Sequence, residues 1–306
     1  MCIALLASMP FGSVPSAEAA HAGHNGVIAF VRTVNGHRHL FTISPDGTGE
    51  QQITSGNTDD TSPDWSPDGS KIAFVRCCPH GVHQIMVLTV ATGQLINISH
   101  SPTDDLDPSW GPGGGRIVFD RSQEIWVMRA DGSHQHRITQ TAKLDSDPSW
   151  SDHGDLAFVR CCSDGWNPSI YVLLAGTTAA RQFVGARDFG DGSSTLSAPD
   201  WQPGGTGLAY QDSSLTSDGP RAGIAWSNGK DGGWFDGFAA FCVSACIASG
   251  PAWAPDGTLV AYSLVPDDGV HLAGVYTLPV CFDPCGAQPT FLTSGSDPAW
   301  QPLPFG

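Results

Sequence analysis

The side chains whose types and spacing could bind a ligand are aspartates that recur at fixed distances before a tryptophan. Asp60, Asp105 and Asp145 stand five residues before one, and Asp107 and Asp147 stand three residues before one. Because alternate residues of a strand share a face, both positions are predicted to point the same way. Carboxylate oxygens without nearby Cys or His favour Ca²⁺ over zinc. The pattern predicts a ligand-binding rim at these five positions, with Ca²⁺ as the metal that Asp60, Asp105 and Asp145 would hold.

The alternative interpretation assigns the same aspartates to turn chemistry. Asp side chains commonly accept hydrogen bonds from backbone N–H groups of a turn, and nearly all of the 30 acidic residues in this chain are Asp. On that interpretation the aspartates shape the connections between strands and bind nothing. The two interpretations differ in where the carboxylates should point, which a structure can decide.

No arrangement of nucleophile, base and acid can be nominated from the sequence. Glycine-rich stretches, such as residues 111–115, are turns because no helix follows that could hold a phosphate. Histidines occur in three close pairs within predicted hairpin turns, where they serve as polar surface residues or weak metal ligands: His37 and His39, His80 and His83, and His134 and His136. The sequence therefore names no catalytic residue, and a binding role is favoured over an enzymatic one.

The tryptophans that follow the aspartates belong to an internal repeat. Six Pro-x-Trp motifs place their tryptophans 45, 40, 51, 52 and 47 residues apart, and each of the first five precedes a turn and a short apolar strand. A repeat of 40 to 50 residues with four short strands is typical of a propeller blade. The six motifs end at Trp65, Trp110, Trp150, Trp201, Trp253 and Trp300.

The two ends of the chain carry complementary halves of the repeat. Residues 27–30 form an apolar strand with no Pro-x-Trp before it, and Pro298-Ala299-Trp300 has no apolar strand after it. A closed ring needs this arrangement, whereas a linear solenoid does not. We therefore predict an all-β protein, with residues 23–306 forming one six-bladed β-propeller of four-stranded blades, closed by N- and C-terminal segments that share a blade.

Composition agrees with this fold and excludes several partners. Gly (37) and Pro (23) make up about a fifth of the 306 residues, and average proteins carry roughly 12% of these two. The net charge of −16 repels nucleic acid and anionic lipid surfaces. Cationic groups, small molecules, neutral glycans and other proteins remain as partners, and the chain is expected to be a monomer.

The first 22 residues are predicted to be a secretory signal peptide that is removed. An apolar run over residues 2–11 leads into small residues at 16–20 with an Ala-x-Ala-like site, although no Lys or Arg precedes the run. The alternative is a disordered apolar tail. No later segment reaches the 18 apolar residues of a membrane span. The mature protein is expected to be secreted, periplasmic or in the cell envelope.

Eight cysteines in close pairs fit an oxidising compartment. Zinc is the competing interpretation, but no His stands at finger-like spacing from the CxxxC pairs. Pairing within each doublet is the simplest disulfide scheme, although the sequence does not fix connectivity. The predicted bridges are Cys77–Cys78, Cys161–Cys162, Cys242–Cys246 and Cys281–Cys285.

The repeat resembles that of a known family. Pro63-Asp64-Trp65-Ser66-Pro67-Asp68-Gly69, followed by the apolar strand at 72–74, is similar to the TolB-like propeller repeat, and the resemblance covers residues 25–302. It implies the propeller fold, which is a scaffold for many functions. We expect an exported, non-catalytic module that binds protein or ligand through its channel mouth and loops. The alternative is a carbohydrate-active enzyme, a glycan lyase or hydrolase, with its site in the central channel.

Overall fold

The computed structural model describes residues 24–77, 81–161, 168–185, 194–216, 219–234, 247–265, 272–280 and 288–303. These residues form a ring of six antiparallel blades, which confirms the predicted fold. Each blade has four strands, and the innermost strand ends in or carries the Pro-x-Trp motif. Within the part of the chain that the structure describes, no helix has the length and apolar character needed to cross a membrane.

The first three blades follow chain order from the inner to the outer strand, apart from the inner strand of blade 1. Blade 1 consists of β24 (Ser296–Leu303), β1 (His24–Val34), β2 (His37–Ile43) and β3 (Gln51–Gln52). Blade 2 consists of β4 (Asp59–Trp65), β5 (Lys71–Cys77), β6 (His83–Thr89) and β7 (Gln94–Asn97). Blade 3 consists of β8 (Asp105–Trp110), β9 (Arg116–Arg121), β10 (Glu124–Arg129) and β11 (His136–Arg137).

The other three blades repeat this order. Blade 4 consists of β12 (Leu144–Trp150), β13 (Leu156–Cys161), β14 (Ser169–Leu173) and β15 (Arg181–Val184). Blade 5 consists of β16 (Ser194–Trp201), β17 (Leu208–Thr216), β18 (Gly219–Ser227) and β19 (Gly232–Trp234). Blade 6 consists of β20 (Ile247–Trp253), β21 (Leu259–Val265), β22 (Gly274–Pro279) and β23 (Thr290–Thr293). A single parallel bridge between β18 and β20 joins the last two blades into one sheet.

Ring closure uses the two complementary halves of the repeat. β24 pairs antiparallel with β1, with Ile28 opposite Trp300 and Ala29 opposite Ala299. The side chain of Gln301 then donates a hydrogen bond to the carbonyl of Gly69 in blade 2, at 2.8 Å. The last segment of the chain therefore completes the first blade and ties it to the second.

The core lies between blades rather than within any one of them. The second strand of each blade is apolar on both faces because each face packs against a neighbouring blade. In β5, Ile72, Ala73 and Phe74 have no exposed surface. Ile72 and Phe74 pack with blade 1, whereas Ala73 packs with Trp110 of blade 3. The blades are thus held by side chains that each blade shares with the next.

Candidate functional site

A cavity of about 440 Å³ lies on the axis of the ring, where the six inner strands meet. All six prolines of the Pro-x-Trp motifs line it. Among the described residues, the lining contains six carboxylates and no Lys, Arg or His. These carboxylates belong to Asp64, Asp107, Asp147, Asp152, Asp200 and Asp297. The cavity is therefore an acidic channel with apolar walls.

A backbone bulge decides which aspartates face this channel. The residue three before each tryptophan has a positive φ, near +48° at Ser62, +47° at Asp107 and +48° at Asp147. The strand register shifts at this bulge, for example between Thr61 and Asp64. The extra residue reverses the alternation of side chains. The prediction that positions −5 and −3 share a face was therefore wrong.

The three aspartates at position −5 lie outside the cavity lining and inside the blades. Asp60, Asp105 and Asp145 are at most 1% exposed. Each accepts two hydrogen bonds, at 2.6 and 2.7 Å, from an arginine on the adjacent strand: Arg76, Arg121 and Arg160 respectively. Each guanidinium also lies over an aromatic ring of its own strand. These carboxylates thus already have a cationic partner within the protein.

The aspartates at position −3 are the ones that line the channel. Ser62 Oγ donates a hydrogen bond to Asp107 Oδ1 at 2.9 Å, and the backbone N–H of Ala198 donates one to Asp147 Oδ2 at 3.0 Å. Asp297 completes the set from β24. Of the five predicted site residues, Asp107 and Asp147 therefore face the channel, and ligand binding there stays a prediction.

Burial and mutual repulsion shift the acidity of this set. Burial, followed by the negative charge of Asp147, raises the pKa of Asp107 to about 6. Burial also raises the pKa of Asp147 and that of Asp297. A carboxylate that loses water and gains like-charged neighbours holds its proton more tightly. The channel therefore favours either protonated carboxyls or a bound cation.

Asp120 is a fourth carboxyl with a raised pKa, and it was not among the candidates predicted from the sequence. It lies on β9, is 7% exposed, and accepts a hydrogen bond from the N–H of Gln123 at 3.0 Å. Burial, and then the negative charge of Asp107, raises the pKa of Asp120 to about 7. Val75 and Val159 occupy the equivalent positions of two other blades. The sequence did contain a signal for Asp120, because it is an acid directly after three apolar residues of the same strand.

Replacing Asp120 by Asn should stabilise the protein at alkaline pH. A carboxyl whose folded pKa lies above its unfolded value destabilises the folded state above the unfolded pKa, and the penalty is complete above the folded pKa. Asp120→Asn keeps the acceptor for Gln123 and removes the charge. Urea unfolding should show a gain on the order of 1–3 kcal/mol at pH 8 that vanishes near pH 4. Asp131→Asn, at an exposed turn, serves as control; equal stability of Asp120→Asn and wild type at pH 8 would contradict the assignment.

Two further channel aspartates act as connections between blades. Asp64 Oδ2 accepts a hydrogen bond from the backbone N–H of Trp110 at 2.6 Å, and Asp200 Oδ2 accepts one from Trp253 at 2.7 Å. Ser109 makes the same connection to Trp150 at 3.2 Å. These side chains hold neighbouring inner strands together, so their charge in the channel accompanies a structural role.

The other predicted features fall partly outside the described residues. Cys77 and Cys161 are the last residues of β5 and β13 and occupy equivalent places. The other six cysteines of the predicted disulfides lie outside the described residues. The predicted signal peptide (residues 1–22) and His80 also lie outside them. Nδ1 of His83 lies 3.0 Å from Oδ1 of Asp104, and Nδ1 of His37 lies 3.4 Å from Oδ1 of Asp59. Within the described ranges, no three His, Cys, Asp or Glu side chains form a group that could hold a metal ion.

The fold and the channel together define a six-bladed β-propeller with an acidic axial cavity. The chain matches the family model of the TolB beta propeller domain over residues 20–303, and it belongs to that family. Two curated relatives match shorter stretches. A TolB homologue from Chlorobium luteolum is 39% identical over 70 residues, which is 23% of this chain and 16% of that protein. Dipeptidyl-peptidase 5 from Porphyromonas gingivalis is 42% identical over 45 residues, which is 15% of this chain and 7% of that protein.

Solved structures share the fold over most of the chain. TolB from Acinetobacter baumannii superimposes with a TM-score of 0.69 at 20% identity, covering 90% of this chain and 67% of that one. An oligogalacturonate lyase from Vibrio parahaemolyticus superimposes with a TM-score of 0.54 at 12% identity, covering 90% and 78%. At these identities the likeness concerns the fold alone, and an enzyme is among the proteins that share it.

Proposed function

We propose that this protein is an exported, non-catalytic binding module of the cell envelope that takes a cationic group of a protein partner into its central channel. The observation that carries the proposal is the lining of the cavity, which has six carboxylates and, among the described residues, no Lys, Arg or His. A lysine or arginine side chain of a partner would bring a positive charge to this lining. Membership of the TolB beta propeller domain family supports a binding role of this kind.

The electrostatics of the channel favour a cation over other ligands. The net charge of −16 attracts cations from a distance, and a cleft with low-dielectric walls concentrates the field. Burial, and then the negative charges of Asp147 and Asp297, raise the pKa of Asp107, and an ammonium or guanidinium group would relieve the repulsion between these charges. A neutral glycan would bring no positive charge to do this, so it is the weaker choice of ligand.

The walls of the cavity favour a side chain over a bare ion. Nine prolines, six of them from the Pro-x-Trp motifs, line the channel around the carboxylates together with Trp65, Trp150, Trp201, Trp253 and Trp300. Long basic side chains bury their methylene stems on apolar surface while the charged head meets its partner. The volume of about 440 Å³ lies in the range of ligand cavities, roughly 300–1,000 Å³. A lysine or arginine presented by an extended segment fits both features.

Calorimetric titration with a matched pair of peptides tests the proposal. The probes are a capped pentapeptide with one lysine between glycines and the same peptide with norleucine in place of lysine. We expect the lysine peptide to bind and the norleucine peptide not to bind. The triple variant Asp107→Asn, Asp147→Asn, Asp297→Asn should bind at least about tenfold more weakly, equivalent to about 1.4 kcal/mol.

The control for that variant changes the same amount of charge elsewhere. Asp46, Asp131 and Asp231 are acids at or beside outer turns and are not among the residues that line the cavity. The triple variant Asp46→Asn, Asp131→Asn, Asp231→Asn should bind the lysine peptide as wild type does. Equal binding of the two peptides, or equal weakening by the two triple variants, would overturn the proposal.

The second candidate function is a glycan lyase or hydrolase acting in the same channel. One observation favours it, because burial raises the pKa of Asp107 in the channel lining to about 6, which suits general acid–base chemistry. Within the part of the chain that the structure describes, the cavity lining offers no Lys, Arg, His or Tyr to stabilise charge in a transition state. Incubation with oligogalacturonate and neutral glycans should therefore give no product, and shortened or unsaturated saccharides would favour the enzyme instead.

A further inference from the structure

The outer strand of blade 2 is an uncharged edge with exposed apolar side chains. In β7 the side chains of Leu95 and Ile96 are 37% and 48% exposed, and Val90 just before the strand is 38% exposed. From residue 84 to residue 103 the sequence contains no Asp, Glu, Lys or Arg. Native edge strands usually carry charges or prolines that prevent pairing with another chain. β7 has neither.

The hydrogen bonding of β7 leaves one side of its backbone open. The N–H of Ile98 donates to the carbonyl of Ile85 on β6 at 3.0 Å, and Ile96 and Gln94 lie opposite Val87 and Thr89 in the same register. Because antiparallel strands alternate bonded and non-bonded pairs, Gln94 and Ile96 turn their backbone groups toward β6. The backbone groups of Leu95 and Asn97 therefore face outward, where no strand of the described residues pairs with β7.

The other outer strands with described side chains are less suited to pairing. β3 and β11 have two residues each, and β15 begins with Arg181. β23 has the same length and no charge, but it exposes one large apolar side chain, Phe291 at 37%, and that ring packs against Tyr276 with centroids 5.3 Å apart. β7 exposes two large apolar side chains, Leu95 and Ile96, where each of these counterparts exposes at most one.

We propose that β7 pairs antiparallel with β7 of a second copy of this chain, about a two-fold axis at Ile96. A second copy is the partner because the edge of β7 is complementary to itself. In this arrangement the outward backbone groups of Leu95 and Asn97 in one copy face those of the other copy, and neither edge carries a charge. Leu95 of one copy lies opposite Asn97 of the other, and the two pairs exchange four hydrogen bonds. Ile96 meets Ile96 across the axis, which makes the contact isologous.

The dimer is weak, and its strength depends on salt. Four-residue strands bury far less surface than the roughly 1,200–2,000 Å² of a stable interface, and each copy carries a charge of −16. The chain is therefore a monomer at micromolar concentration, as the sequence predicts, and associates toward about 0.1–1 mM. Added salt screens the repulsion and should strengthen association.

Sedimentation equilibrium of the whole chain up to about 1 mM, with hydrogen exchange at both ends of the range, tests the proposal. We expect concentration-dependent dimers that Ile96→Lys abolishes. Val265→Lys is the matched control, because Val265 is 56% exposed, lies outside β7 and gives the same charge change. The amides of Leu95 and Asn97 should gain protection on association, while that of Ile96 is protected throughout.

Three results would overturn the proposal. The first is a wild-type protein that stays monomeric to about 1 mM in high salt. The second is association that Ile96→Lys and Val265→Lys weaken equally. The third is association without added protection at Leu95 and Asn97, which would assign the contact to another face. Hydrogen exchange of the Ile96→Lys monomer also shows whether blade 2 remains folded, so that loss of pairing is distinguished from loss of structure.

Discussion

Deletion of residues 296–306 is expected to abolish the cooperative unfolding transition of this protein. The deletion removes β24, and with it the inner strand of blade 1 and the buried side chains of Ala299 and Trp300. It exposes the edge of β1 and the apolar surface shared with blade 6. The loss is comparable to the whole stability of a typical domain, about 5–15 kcal/mol.

Thermal and urea unfolding followed by circular dichroism would check this result. The control is deletion of residues 304–306 alone, which leaves β24 intact and should unfold as the full chain does. A sharp transition with an unchanged urea slope in the longer deletion would show that the ring is stable without closure, contrary to the account.

Truncation of a buried ion pair should give the largest effect of any single substitution. Asp105 is fully buried and accepts two hydrogen bonds from Arg121, which also donates to Gln135 at 3.0 Å and lies over Phe119 and Trp126. Asp105→Ala leaves the guanidinium in place without its counter-ion. A broken buried pair costs about 3–5 kcal/mol, and urea unfolding would measure it.

The equivalent residue pair of another blade shows which second substitution should restore the lost stability. In blade 6 the same cross-strand pair is Ala248 opposite Leu264, both buried. The double variant Asp105→Ala, Arg121→Leu copies that pair into blade 3 and should recover most of the lost stability, because no charge remains buried. Glu124→Ala breaks a more exposed ion pair with Arg137 and should cost about 0–1 kcal/mol. Equal costs for Asp105→Ala and Glu124→Ala would contradict the assigned role.

The fold could be predicted from the sequence because the repeat is regular. Six Pro-x-Trp motifs and the apolar strands after them set the number of blades, and the incomplete repeats at the two ends predicted their pairing. Both signals arise from packing between blades, which requires the same residue types at the same places in every repeat. This is why closure at Ile28 and Trp300 followed from spacing alone.

The orientation of the aspartates could not be predicted in the same way. Ser62, Asp107 and Asp147 have positive φ, which non-glycine residues adopt seldom. Of the six equivalent positions only Gly250 is a glycine, and Asp tolerates this conformation without requiring it. The rule that alternate residues of a strand share a face therefore gave the wrong orientation for the aspartates at position −5. One signal was present nonetheless, since arginine follows the apolar strand in all three repeats that carry Asp at position −5. Arginine also follows the strand in blade 1, where position −5 is glycine and Arg32 pairs with Glu50 instead.

The measurement that tests the central claim most directly is the affinity of the channel for the lysine pentapeptide at pH 8 and at pH 5. Cation binding needs ionised carboxylates, and burial, followed by the negative charge of Asp147, raises the pKa of Asp107 in the channel lining to about 6. At pH 5 Asp107 holds its proton, so the affinity should fall at least about tenfold between pH 8 and pH 5. Asp46→Asn should leave this pH dependence unchanged. Absence of binding at pH 8, or an affinity that is the same at both pH values, would contradict a cation-binding channel.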